Sequence, residues 1–164
     1  MDYDNIQHAE LTQRFKAGAN WFYWIAGLSI VTSIITFGGG TWRFLLSLGS
    51  TQIIDGLAQA LAAEVGGAAR VVGLILDLIV TGLFVLFGWL SHRKYLWAYV
   101  LGMVAFALDG LLSLLFSDFI GVLAHGVVIF FLFRGLQAGR SLLELEKTMA
   151  AQPADAVRQP EPAL

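Results

Sequence analysis

The chain has 164 residues, of which 57% are hydrophobic and 13% charged, with a formal net charge of −2. A soluble globular domain carries about 25% charged residues, so this deficit and a mean hydropathy of +0.72 place the chain in the membrane class. The absence of cysteine excludes disulfides, thiolate metal centres, iron–sulfur ligation and a cysteine nucleophile, and the slightly acidic balance gives nucleic acid no footing.

The first residues have neither the basic stretch nor the small-residue cleavage site of a signal peptide. The first apolar segment is therefore read as retained. Residues 1–19 set Ile6, Leu11 and Phe15 among polar side chains, the pattern of an amphipathic segment lying at a membrane surface.

Residues 20–140 hold five apolar segments. Trp21–Phe37 carries no charge, and Phe44–Ala63 contains Gln52, Asp55 and Gln59. Val71–Leu90 has Asp77 as its one charge, and Tyr95–Phe116 has Asp109. Phe119–Phe133 contains His125 and reaches Ala138 if Arg134 extends its head group to the interface. A spanning helix needs about 20 residues, so the expected fold is an all-α polytopic membrane bundle of five helices. The second, most polar segment is read as either spanning or re-entrant, with "LGSTQ" able to start a fresh helix capped by Ser50 or Thr51. Trp21, Trp24, Trp42, Trp89, Tyr95 and Trp97 flank the segment ends, as interfacial aromatics do.

Lysine and arginine set the orientation. Five spans put Arg43, Arg93, Lys94, Arg134, Arg140 and Lys147 inside, against Arg14, Lys16 and Arg70. A re-entrant second segment moves Arg14 and Lys16 inside and Arg43 outside, and separates the charges more cleanly. Both arrangements leave the C-terminus in the cytoplasm. An internal echo favours five spans: "TWRFLLSLGSTQIIDGLAQAL" and "YLWAYVLGMVAFALDGLLSLL" both run from Trp to Asp-Gly-Leu. Residues 141–164 begin with Leu142, Leu145 and Met149 on one helical face and end in a Pro/Ala-rich tail expected to be disordered.

The segments share a polar level. Counting 1.5 Å per residue from the segment ends puts Asp77, Asp109 and His125 about 9–11 Å below one boundary, and Asp55 about 12 Å if its helix spans. Gly73, Asp77 and Thr81 share a helical face, as do Gly102, Ala105, Asp109 and Ser113; Gln52 and Gln59 lie beside Asp55, and Ser29, Ser33 and Thr36 form a stripe on the first segment. Small and polar residues on one face are what packed membrane helices turn toward each other. A charged aspartate at a helix centre costs roughly 2.5–3.5 kcal/mol. Neutralisation, pairing with His125 or a bound cation would each relieve it.

The first expectation for function is a non-enzymatic component of a membrane assembly. It would bind other membrane subunits or itself within the lipid bilayer, through Gly135 and Gly139 of "GLQAG" and the amphipathic tail. The alternative is a small proton- or cation-coupled transporter or channel, with Asp77 and Asp109 exchanging the ion and His125 relaying. A third is an intramembrane divalent metal site built from Asp77, Asp109 and His125 with Asp55, though no HxxxH-like spacing supports it. No cofactor is expected; bis-histidine haem fails because His8 and His92 lie outside the apolar segments. "LAHGVV" resembles the histidine helix of rhomboid proteases, but their GxSG motif is absent, and Ser50 of "LGST" would lie on the order of 10 Å from His125, too far for a dyad. "ALDGLLSLLF", followed by the histidine helix and "FRGL", resembles a group of small bacterial multi-pass membrane proteins with no assigned activity, over roughly residues 20–146. That resemblance implies a bacterial inner membrane.

Overall fold

The computed structural model describes residues 3–39, 48–115 and 118–151. These form five helices: α1 (Tyr3–Phe37), α2 (Gly49–Val65), α3 (Ala68–His92), α4 (Leu96–Leu115) and α5 (Phe119–Ala151). Four of them, α1, α3, α4 and α5, are long and apolar enough to cross a membrane. Trp42, Arg43 and the first residues of the expected second segment lie outside the described residues, as does the tail beyond Ala151.

Many large apolar side chains face outward, while the interior combines small and polar residues with a core of Phe15, Phe22, Ile25, Phe84, Tyr99, Phe106 and Leu132. On α3 the buried residues are Gly73, Asp77, Thr81, Phe84, Gly88 and Ser91, while Val72, Ile75, Ile79, Leu83 and Leu86 are exposed. An outer surface this apolar is costly in water; in lipid the tails cover the apolar rim and close packing helps hold the helices together.

At 35 and 33 residues, α1 and α5 are each about 50 Å long, well beyond a hydrocarbon core of about 30 Å. Their surplus turns project together at the end of the bundle where α1 starts and α5 ends. The expected surface segment at 1–19 is thus corrected: from Tyr3 onward it is the start of α1. Phe15, Ala19 and Phe22 keep the helical phase of the span and are buried. The amphipathic stretch at 141–151 likewise continues α5, with Leu142 buried. Gly18 and Gly135 bring the two axes together, since a Cβ on Gly18 would stand 2.7 Å from the Gly135 Cα. A Cβ on Gly139 would meet the Phe15 ring at 2.6 Å. Gly135 and Gly139 are therefore spent inside the bundle, which corrects their expected use as contact surfaces for partners.

The α3–α4 turn returns at this same end. Lys94 takes φ 65°, with its N–H bonded to Ser91 O and the Tyr95 N–H to Leu90 O, a Schellman ending with lysine where glycine is usual. Lys94 Nζ donates to Glu146, and His8 Nε2 lies 2.9 Å from the same carboxylate oxygen. This links α1, the α3–α4 turn and α5 beyond their apolar parts. Lys94 first, and then His8, hold the Glu146 carboxyl below its ordinary value of 4.5. A depressed acid stabilises above its unfolded value, and that contribution is lost as pH falls through the folded one. Glu146→Gln should therefore lower the unfolding midpoint at neutral pH, by about 0.2–1 kcal/mol for so exposed a pair. The two proteins should converge under acid below pH 4.5, read by denaturation in detergent.

Candidate functional site

Helix α2 starts at Gly49, within the "LGSTQ" stretch expected to be able to begin a fresh helix. It is 17 residues, about 25 Å long, and begins within the bundle instead of at one of its ends. The Leu48 N–H donates to Ser29 Oγ on α1 at 2.9 Å. From there α2 runs antiparallel to α3, turning at Gly66–Gly67, with Gly73 of α3 seated against Ala58 and Ile54. Its start is Gly49, with Leu48 as N-cap and no side-chain cap of its own. Ser50 and Thr51 sit in the first turn, where Thr51 Oγ1 donates back to Leu48 O at 2.8 Å, which corrects their expected capping role.

A helix start leaves N–H groups without intrahelical partners. Here Asp109 of α4 supplies the acceptors from another helix. Its Oδ2 accepts from Gly49 N at 2.6 Å and its Oδ1 from Ser50 N at 2.8 Å. The positive end of α2 also favours a carboxylate at this point. Position 49 is tight for any side chain, since a Cβ would stand 2.9 Å from Ser113 Oγ and 3.3 Å from Asp109 O. Ser113 is accordingly buried against the start of α2.

His125 completes this first cluster. Its Nε2 lies 3.0 Å from Asp109 Oδ2, and its Nδ1 lies 2.8 Å from Gly121 O. A carbonyl only accepts, so Nδ1 carries a hydrogen. One further proton must then lie between Nε2 and Oδ2. Wherever it sits, the histidine–aspartate unit has no net charge. Phe106 stacks on the imidazole with centroids 4.4 Å apart. Asp109 and His125 are 5% and 2% exposed, and every polar atom of the pair has a partner. Ser50 lies closer to His125 than its depth in the sequence implied, through the shared Asp109. Both imidazole nitrogens are nevertheless occupied, so neither can activate the Ser50 hydroxyl.

Asp77 belongs to a second cluster. It is 1% exposed on α3 and interacts with Asp55 of α2 and Ser33 of α1. Among the described residues neither Asp77 oxygen has a hydrogen-bond partner of good geometry, nor has Ser33 Oγ or Thr81 Oγ1. An isolated buried polar group of this kind costs about 1–3 kcal/mol, and more if charged. Beside Asp55 a cavity of ≈ 10 Å³ is lined by Thr36, Phe37, Gln59 and Arg70, space for about one water. It lies at the far end of the bundle from the termini. Gln59 is exposed there, and Gln52 is half-buried one turn before Asp55.

The single polar level expected from the sequence is thus two clusters. No hydrogen bond or ion pair among the described residues joins Asp77 to Asp109 or His125. The expected metal set does not assemble: among the described residues no three His, Cys, Asp or Glu side chains are close enough to share an ion. Toward the termini both clusters meet an aromatic layer. Phe22 packs edge-on to Tyr99 with centroids 5.3 Å apart, Phe84 packs on Phe87 and Phe106, and Tyr99 donates to Leu132 O.

No family model, curated protein or solved structure matches this chain.

Proposed function

We propose that this is a non-enzymatic component of a membrane assembly whose working part, the Asp55–Asp77 cluster, takes up a proton or a monovalent cation from one side. The observation that carries this reading is the Asp77 carboxyl, buried beside Asp55 and Ser33, where among the described residues neither its oxygens nor Ser33 Oγ or Thr81 Oγ1 makes a hydrogen bond of good geometry. Two neighbouring carboxyls and two hydroxyls form an all-oxygen set, suited to a shared proton or a hard cation. By contrast, the Asp109–His125 pair is saturated, and its work is to hold the start of α2 inside the bundle.

The topology that fits is the re-entrant one. A helix that begins at Ser29 and Asp109 and leaves at the far end enters and exits on the same side, so four spans bring both termini together. Arg14, Lys16, Arg93, Lys94, Arg134, Arg140 and Lys147 then share the side of the termini, which the positive-inside rule makes cytoplasmic. The cavity beside Asp55 opens to the opposite, outer side. A bacterial inner membrane is the setting that the resemblance of residues 20–146 implies.

The aromatic layer of Phe22, Phe84, Phe106 and Tyr99 stands between both clusters and the cytoplasmic end. A single chain on this reading binds an ion without conducting it, and a partner subunit or a second copy reads the occupancy. Reconstituted alone in proteoliposomes, the chain should leave imposed proton and sodium gradients undissipated. A flux that the Asp77→Asn variant abolishes would instead make the protein a transporter.

A further inference from the structure

At the membrane boundary nearer the start of α1 and the end of α5, the two helices form a groove of ≈ 360 Å³ that runs alongside the Gly18–Gly135 contact. Its floor is apolar: Trp21 and Phe131 stack with centroids 5.3 Å apart and planes 14° from parallel. Its upper wall is polar, with Arg14 from α1 and Arg134, Gln137 and Ser141 from α5. Both arginines are exposed. Arg14 pairs with Glu10 one turn away, and the Arg134 guanidinium lies 5.9 Å from the Phe130 ring.

The level of this groove is set by the helices that form it. The apolar run of α1 starts at Trp21 and that of α5 ends at Phe133. The guanidiniums therefore stand where hydrocarbon gives way to head groups, and the aromatic pair stands just inside the hydrocarbon. One wall suits an anion, the floor suits acyl chains, and the volume falls within the range of small-ligand sites. Guanidinium forks bind phosphate oxygens bidentately, and basic pockets between membrane helices hold anionic head groups.

We propose that this groove binds one anionic phospholipid, with its phosphodiester between Arg14 and Arg134, Gln137 and Ser141 donating to the same head group, and an acyl chain along Trp21 and Phe131. The Glu10 carboxylate offsets part of the Arg14 charge, so Arg134 is the stronger anchor. The groove is separate from the Asp55–Asp77 cluster and does not depend on its role.

The test uses the full chain in nanodiscs of phosphatidylcholine, titrated with phosphatidylglycerol and read by native mass spectrometry and Trp21 fluorescence. Wild type should retain phosphatidylglycerol over phosphatidylcholine. Arg134→Gln should weaken this about fivefold, Arg14→Gln by a smaller factor, and the double variant by more than either alone. Arg140→Gln, outside the groove, should leave retention unchanged and shows whether general surface charge is responsible. Equal retention by the double variant, or an equal loss in Arg140→Gln, would overturn the proposal. So would inorganic phosphate that displaces the lipid at equal concentration, because the groove would then be a site for soluble phosphate.

Discussion

Asp109→Ala should be among the most destabilising single substitutions in this chain, at about 3–5 kcal/mol, the usual cost of removing one partner of a buried pair. The substitution strips the acceptor from Gly49 N, Ser50 N and His125 Nε2 at once. The buried Gly49 N–H and the half-buried Ser50 N–H would lose their acceptor, and the helix would lose the anion at its positive end. Asp109→Asn should cost less. Its amide oxygen can still accept from Ser50 N, and its amide hydrogen can bond a neutral His125 through Nε2, leaving Gly49 N unsatisfied. Denaturation in detergent, followed by circular dichroism, reads both variants. If the alanine and asparagine variants matched wild type, Asp109 would not be the cap of α2.

Asp77→Asn should do the opposite. The asparagine keeps the shape of the side chain and removes a buried carboxyl that stands beside a second carboxyl and, among the described residues, makes no hydrogen bond of good geometry. Removing a buried, poorly satisfied charge is neutral or stabilising, by about 1–3 kcal/mol. Two aspartates that look alike in the sequence, each one residue in an apolar helix, should thus shift stability in opposite directions. Groups that bind a ligand are often kept at the expense of stability, because their partner arrives from outside. A fall in stability on Asp77→Asn as large as that on Asp109→Ala would make Asp77 a structural residue.

Much of this arrangement can be read from the residues. Inward faces follow from the spacing of Gly73, Asp77 and Thr81 on α3 and of Gly102, Asp109 and Ser113 on α4. The Asp109–His125 pairing follows from equal depth on adjacent antiparallel helices. The division into two clusters does not follow, because depth gives position along the membrane normal but not around the bundle. The cap on α2 was equally hidden, since its acceptor lies 60 residues from Gly49 and leaves no local signature. "LGST" invited a local cap from Ser50 or Thr51, and the nonlocal carboxylate displaced it.

The echo between "STQIIDGL" and "AFALDGLL" places two Asp-Gly-Leu runs in unlike settings: Asp109 caps a helix, whereas Asp55 sits beside another acid. The long α1 was legible in one respect. Phe15, Ala19 and Phe22 fall at i, i+4 and i+7, in phase across the boundary at residue 20 where composition changes. The change from polar to apolar composition marks where the membrane begins, not where the helix does.

The claim that Asp77 and Asp55 take up a proton or cation is tested most directly by ligand-linked stability. A ligand that binds the folded state alone raises stability with its concentration. The unfolding midpoint would be measured in detergent across sodium concentration, with choline holding ionic strength constant, and across pH, for wild type and Asp77→Asn. The account predicts that wild type responds to at least one of the two ligands and that this response is missing in Asp77→Asn, while Glu146→Gln keeps it. Superimposable curves for wild type and Asp77→Asn, in both sodium and pH, would contradict it.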